Sequence, residues 1–145
     1  MLLRPILVLV LAGSLLAACV YAPGEPMTET ADGVRYVGAE RDGDVVALHV
    51  GQTMRIELET IPTAGYVWEI EDKPNFLDLV AENTRPTDPD VQNQEGFTGG
   101  NHFMAFDLEA TAPGKATIHM INHRPWEGGD EMGTFRIDVT VTAAQ

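Results

Sequence analysis

A single cysteine stands among the 145 residues. That excludes an internal disulfide framework and any cysteine-cluster zinc site. Basic side chains are scarce: Lys and Arg number 9 against 22 Asp and Glu, a formal charge of −13. A phosphate backbone needs clustered cations, and these are few and scattered, so a nucleic-acid partner is excluded. Helical periodicity is missing as well; no window of about 11 residues carries an apolar stripe at 3.6-residue spacing. Only residues 1–18 form a long apolar run, and it falls short of the ~20 residues that span a bilayer comfortably. What remains is a length suited to one domain, with 44% apolar residues, too many for a disordered chain.

The apolar run sits behind one positive charge, Arg4, and is nearly pure aliphatic from Ile6 to Ala12 before Gly13 and Ser14 soften it. This is the pattern of an export signal. A plain secretory peptide with a chance cysteine, or an uncleaved anchor, would share that much. Leu16-Ala17-Ala18-Cys19 adds more, because it resembles the lipobox of bacterial lipoproteins. The resemblance implies that residues 1–18 are removed and that Cys19 takes the lipid. Two or three acyl chains then anchor the chain to a membrane, at about 0.8 kcal/mol per buried CH₂. The location expected is the bacterial cell envelope. Val20, not Asp, follows the cysteine, which points to the outer membrane where a cell has one.

Residues 20–34 hold Pro23, Gly24, Pro26 and Gly33 among acidic residues. They read as a flexible linker, giving a lipidated tether over 19–40 and a folded domain over 41–145. From about residue 35 the period becomes two. Met54, Ile56 and Leu58 alternate with Arg55, Glu57 and Glu59. Met104, Phe106 and Leu108 alternate with Ala105, Asp107 and Glu109, and Phe135 to Val141 behaves alike. Ile118 and Met120 flank His119, Val45 to Val50 and Tyr66 to Ile70 are further strands, and Phe76 to Val80 is a shorter one. Each reads as a half-buried strand with one dry face. Turn formers separate them, among them Asp42-Gly43, Pro113-Gly114 and Gly128-Gly129. The expectation is an all-β fold, an immunoglobulin-like antiparallel β-sandwich of seven or eight strands, held by apolar contact alone.

Three loops carry more than spacer residues. Ile61-Pro62-Thr63-Ala64-Gly65-Tyr66-Val67-Trp68 joins a rigid Pro62 to a permissive Gly65; its bland reading is a tight turn into a strand. Gly96-Phe97-Thr98-Gly99-Gly100-Asn101-His102-Phe103 lets a backbone approach another surface closely, or is simply a loose hairpin. Arg124-Pro125-Trp126-Glu127-Gly128-Gly129 puts an indole at a loop tip where burial is difficult. Exposed aromatics on rigid loops are common binding anchors.

The order and spacing of these segments resemble the chagasin family, inhibitors of papain-like cysteine proteases. That family carries an Asn-Pro-Thr-Thr-Gly-aromatic-x-Trp loop, a Gly-Gly loop and an Arg-Pro-Trp loop on an immunoglobulin-like sandwich. Pro62, Thr63, Gly65, Tyr66 and Trp68 match the first loop; Gly99, Gly100 and Phe103 match the second; Arg124, Pro125 and Trp126 match the third. Ile61 replaces the family's Asn and Ala64 its second Thr, the latter removing a hydroxyl worth about 1 kcal/mol. The resemblance implies a papain-like cysteine protease as partner. Its cleft would be contacted by Pro62, Thr63, Ala64, Gly65, Tyr66, Gly99, Gly100, Asn101, Phe103, Arg124, Pro125 and Trp126. The Thr63 loop would approach the catalytic cysteine, and Trp126 the side of the catalytic histidine. No cofactor or metal is implied, and the chain is expected to act as a monomer and not as an enzyme.

The residues themselves favour no catalytic rival. Beyond Cys19 there is no cysteine nucleophile. His119 and His123 are four apart, a spacing that converges on a helix but not on a strand. His102 and His123 lie beside the loops, where a charge gained near neutrality would alter binding. The alternative reading is an envelope-anchored binding or adhesion lipoprotein with no protease target, since a fold alone does not fix function.

Overall fold

The computed structural model describes residues 29–128 and 131–144. Residues 1–28, with the expected export signal, Cys19 and part of the expected tether, lie outside the described residues. Alternation decides how each strand faces. Strand β1 (Arg35–Val37) is followed by β2 (Val45–His49), β3 (Thr53–Thr60), β4 (Val67–Ile70) and β5 (Leu77–Pro86). A single helical turn, α1 (Pro89–Gln92), precedes β6 (His102–Ala110), β7 (Gly114–His123) and β8 (Gly133–Thr142). One sheet has the order β1-β3-β6-β5 and the other β2-β8-β7-β4. Met54, Ile56, Leu58, Met104, Phe106 and Leu108 from the first sheet meet Val46, Leu48, Ile118, Met120, Phe135, Ile137, Val139 and Val141 from the second. With period-two alternation on both sheets, one face of each is driven out of water, and the two dry faces form the core.

Three departures from the sequence expectation have physical causes. β5 runs ten residues instead of stopping at Val80. It is an edge strand, exposed on most positions, with a register shift between Leu79 and Ala81. Its extent is dictated by pairing with β6, so no dry face marks it in the sequence. The sandwich also takes in residues 35–37, within the expected tether, because Val37 is fully buried in the core. Finally, two pairings are parallel, β1 with β3 and β2 with β8. Residues 38–44 carry the chain from one sheet to the other between them, so both edge strands join without a hairpin.

β6 is central in its sheet, and there one dry face becomes two. Ala105 and Asp107, on the outer side, are buried along with the inward residues. Long neighbours cover them. Arg55 donates from Nε and Nη2 to the two Asp107 oxygens, both at 2.7 Å. Arg85 reaches across β6 to buried Glu57 at 2.6 Å, and the Tyr36 hydroxyl donates to the same carboxylate at 3.2 Å. Burial first, then the Glu57 charge, pushes the Tyr36 phenol above its ordinary value. These bidentate pairs knit four strands on a face that apolar residues do not cover. Replacing Asp107 with Asn should lower stability by about 1 kcal/mol, seen as an earlier urea midpoint with unchanged slope.

The topology also gives the molecule two distinct poles. Arg35 pairs with Met54 near the start of β3, and Glu29 bridges to Arg35. The described chain therefore begins at the pole where β3 starts, and β8 ends there opposite His49.

Candidate functional site

The registers gather the three loops at the other pole. Thr60 and Pro86 both sit opposite His102, Val67 opposite His123, and Asn122 opposite Gly133. The proline loop (61–66) passes from β3 in one sheet to β4 in the other, so it occupies the middle. A hairpin loop of each sheet flanks it: the glycine loop (87–101) from the first and the tryptophan loop (124–132) from the second.

The proline loop is a 3₁₀ turn over Pro62–Ala64. Pro62 presets the first helical φ. The Ile61 carbonyl accepts from the Ala64 and Tyr66 amides, at 3.0 and 3.2 Å, and Gly65 N donates to the Pro62 carbonyl at 2.8 Å. Main-chain bonds thus close the turn, and Ile61 serves without a capping side chain. Thr63 and Ala64 are exposed at the tip. Behind the tip, the Thr60 hydroxyl donates to the Tyr66 carbonyl at 2.9 Å, and Trp68 Nε1 donates to the Glu59 carbonyl at 2.8 Å. Gly65 is glycine for two reasons. Its φ is +90°, which side chains resist, and a Cβ there would come within 2.8 Å of Trp126 Cη2 and closer still to Cζ2.

Trp126 therefore lies across the neighbouring loop with 68% of its surface still in water. Arg124 fastens the two loops. Its Nε donates to the Ala64 carbonyl at 2.9 Å, its guanidinium stands 4.6 Å from the Tyr66 ring centre, and Nη1 donates to Glu127 at 2.9 Å. The Glu127 bond raises the Arg124 pKa above its ordinary value. A planar fork that stacks and bonds at once is a property of arginine and not of lysine. Next to it, His123 Nε2 lies 2.9 Å from Glu69.

The glycine loop is built differently from the loose hairpin its glycines suggest. Asp88 caps α1 by accepting from the Val91 amide at 3.3 Å, with Pro89 at the first helical position. Gly99 and Gly100 both take φ +94°. Asn101 Nδ2 donates to Glu59 Oε1 at 2.5 Å, tying this loop to the end of β3. A Cβ on Gly99 would stand 4.0 Å from the Thr63 hydroxyl, so glycine and proline loops come near each other at their tips.

Pro62, Thr63, Ala64, Gly65, Tyr66, Gly99, Gly100, Asn101, Arg124, Pro125 and Trp126 are thus all on loops of one pole. Phe103 is not on a loop. It is the second residue of β6, with its ring 4.5 Å under the Arg85 guanidinium on the outer face of the first sheet. Sequence reasoning passed over Glu59, Gln92 and Glu127, which hold the loops in place. The Asp88-Pro89 pair, a helix-start signal, is the one feature that could have pointed to Gln92.

A family model described as chagasin family peptidase inhibitor I42 matches residues 47–141. Amoebiasin-2 of Entamoeba histolytica is 26% identical over 104 residues, covering 72% of this chain and 81% of that protein. The crystal structure of a cysteine protease inhibitor from the same organism is similar with a TM-score of 0.64 at 23% identity, covering 75% of this chain and 96% of that one. The solution structure of Amebosin is similar with a TM-score of 0.57 at 21% identity, covering 74% and 96%. The two solved structures share the fold, and the family model spans the strands that carry all three loops. The chain belongs to the chagasin family of peptidase inhibitors.

Proposed function

We propose that the chain is a reversible, non-covalent inhibitor of papain-like cysteine proteases that blocks the active-site cleft with its loop pole. One observation carries this reading: an exposed indole lies against Gly65 of a proline turn that Arg124 ties to the tryptophan loop, and the tip of that turn, Thr63-Ala64, is exposed. A wedge of this kind needs no nucleophile. Its loops are set before binding, so little conformational entropy is lost when a cleft closes on them. The middle loop fills the cleft centre, the indole covers one wall, and the Gly99-Gly100 backbone approaches the other without side chains in the way.

The test is direct. Residues 20–145, which contain every core residue from Val37 to Val141, are mixed with papain and a peptide substrate. Activity should fall at sub-micromolar inhibitor and return on dilution. Full activity at micromolar inhibitor would turn the reading towards the adhesion lipoprotein. Arg124→Lys should raise the inhibition constant about five- to tenfold, on the order of 1 kcal/mol, because charge is kept while the fork and the stack are lost. A constant equal to that of the original protein would remove the fastening role.

We also propose that the inhibitor is anchored to a bacterial envelope through acylated Cys19, on the strength of the lipobox resemblance. Cells fed an alkyne-tagged fatty acid should label the protein. Cys19→Ser should abolish the label and release the chain into the soluble fraction; label retained on that variant would refute the anchor.

A further inference from the structure

The glycine loop holds two consecutive glycines, Gly99 and Gly100, within the proposed edge. Two consecutive glycines leave its unfolded and partly folded states with the greatest backbone freedom. Yet in the structure a single side chain from α1 fills the space beside them. We propose that Gln92 is the positioning residue of this loop, fixing the main chain at Gly100 and Asn101 in the conformation offered to a protease. The inference rests on reading this loop as part of the inhibitory edge.

Gln92 is half-buried while the other residues of α1 are exposed. Both ends of its amide are used. Oε1 accepts from the Asp88 amide at 2.7 Å, and Nε2 donates to the Asn101 carbonyl at 2.9 Å. The reverse orientation of the amide would set a donor against a donor and an acceptor against an acceptor, so the two bonds determine which way it points. The Thr87 hydroxyl lies within reach of both Oε1 and the Asn101 carbonyl, and the Thr87 amide donates to that carbonyl at 3.1 Å. Gly100 has no room for a side chain, since its Cβ would fall 3.0 Å from Gln92 Cδ and closer to Nε2. The +94° φ at Gly100 and the Gln92 amide are therefore two halves of one fitting. Asn101 passes the constraint on, because its own amide is bonded to Glu59 at the end of β3.

The isosteric variant Gln92→Glu separates positioning from bulk. At pH 7 its carboxylate still accepts from Asp88 N but can only repel the Asn101 carbonyl. At pH 4 a protonated carboxyl can donate to it again, since an ordinary glutamate titrates near 4.3. Asp88, Glu59 and His102, the titratable groups nearby, are common to both proteins, so the ratio of variant to original cancels them. With residues 20–145 and papain, Gln92→Ala and Gln92→Glu should each raise the inhibition constant about tenfold at pH 7, mostly through faster dissociation. At pH 4 the Gln92→Glu ratio should return towards one while that of Gln92→Ala stays high. In the free protein, amide hydrogen exchange at residues 99–102 should quicken about tenfold in both variants at pH 7, with the thermal midpoint moved little.

Exchange at 99–102 and inhibition within twofold of the original in both variants would overturn the proposal. So would a Gln92→Glu ratio that ignores pH. If the original protein fails to inhibit papain, the inhibitor reading fails, and the exchange measurement on the free protein still decides whether Gln92 fixes the loop.

Discussion

Trp126→Ala should raise the inhibition constant by about 30-fold or more, at least ~2 kcal/mol, while leaving the stability of the free protein nearly unchanged. The asymmetry follows from where the indole sits. It is 68% exposed and takes no part in the core, so folding gains little from it. It nonetheless rests against Gly65, and Arg124, two residues before it, ties its loop to the proline turn. An aromatic side chain that rests on a preset turn but is still wet has most of its apolar surface left to bury when a partner arrives. The measurement is the inhibition constant against papain beside a urea titration of the free variant. A constant within threefold of the original would mean that the indole is ornamental to binding, and the wedge would lose its anchor.

Gly65→Ala is the second large effect, and it reads the same contact from below. An alanine at φ +90° is strained by roughly 1–2 kcal/mol before any neighbour is considered. Its methyl would in addition overlap the Trp126 ring. The turn, the indole or both must shift. Inhibition should weaken by about 30-fold or more, and stability should fall by roughly 2–3 kcal/mol, the strain and the overlap together. A double-mutant cycle resolves the two causes. In a Trp126→Ala background the overlap is gone, so Gly65→Ala should destabilise less there than in the original protein. Equal destabilisation in both backgrounds would show that backbone strain alone is at work and that the indole does not press on this position.

How much of this was legible in the sequence depends on what each residue is constrained by. β3 and β8 are half-buried, and burial writes a period-two pattern that needs no knowledge of neighbours. The loops could be picked out because Pro62, Gly65 and Trp126 are residue types that ordinary spacers avoid. Beyond residue 80, β5 could not, since an edge strand open on both faces is defined by its partner's hydrogen bonds and not by its own polarity. β1 escaped for a related reason. Three residues are too few to show a period, and only Val37 is buried. The parallel edges depend on residues 38–44 crossing between sheets, a fact of three-dimensional closure. The supports of the site were hidden most thoroughly. Glu59, Gln92 and Glu127 look like any solvated polar residue until the fold brings an amide or a guanidinium to them.

The parallel pairing of β1 with β3 has a consequence for display. Arg35 lies opposite Met54 and Thr60 is six residues further along β3, roughly 20 Å away at the rise of an extended strand. Arg35, where the chain enters β1, and the three loops thus occupy opposite ends of the sandwich. Were the chain moored through its N-terminal side, as proposed, its attachment would lie at the pole away from the loops, and the surface beneath would leave them open. A bulky enzyme could then reach the loops without passing between the domain and whatever holds it.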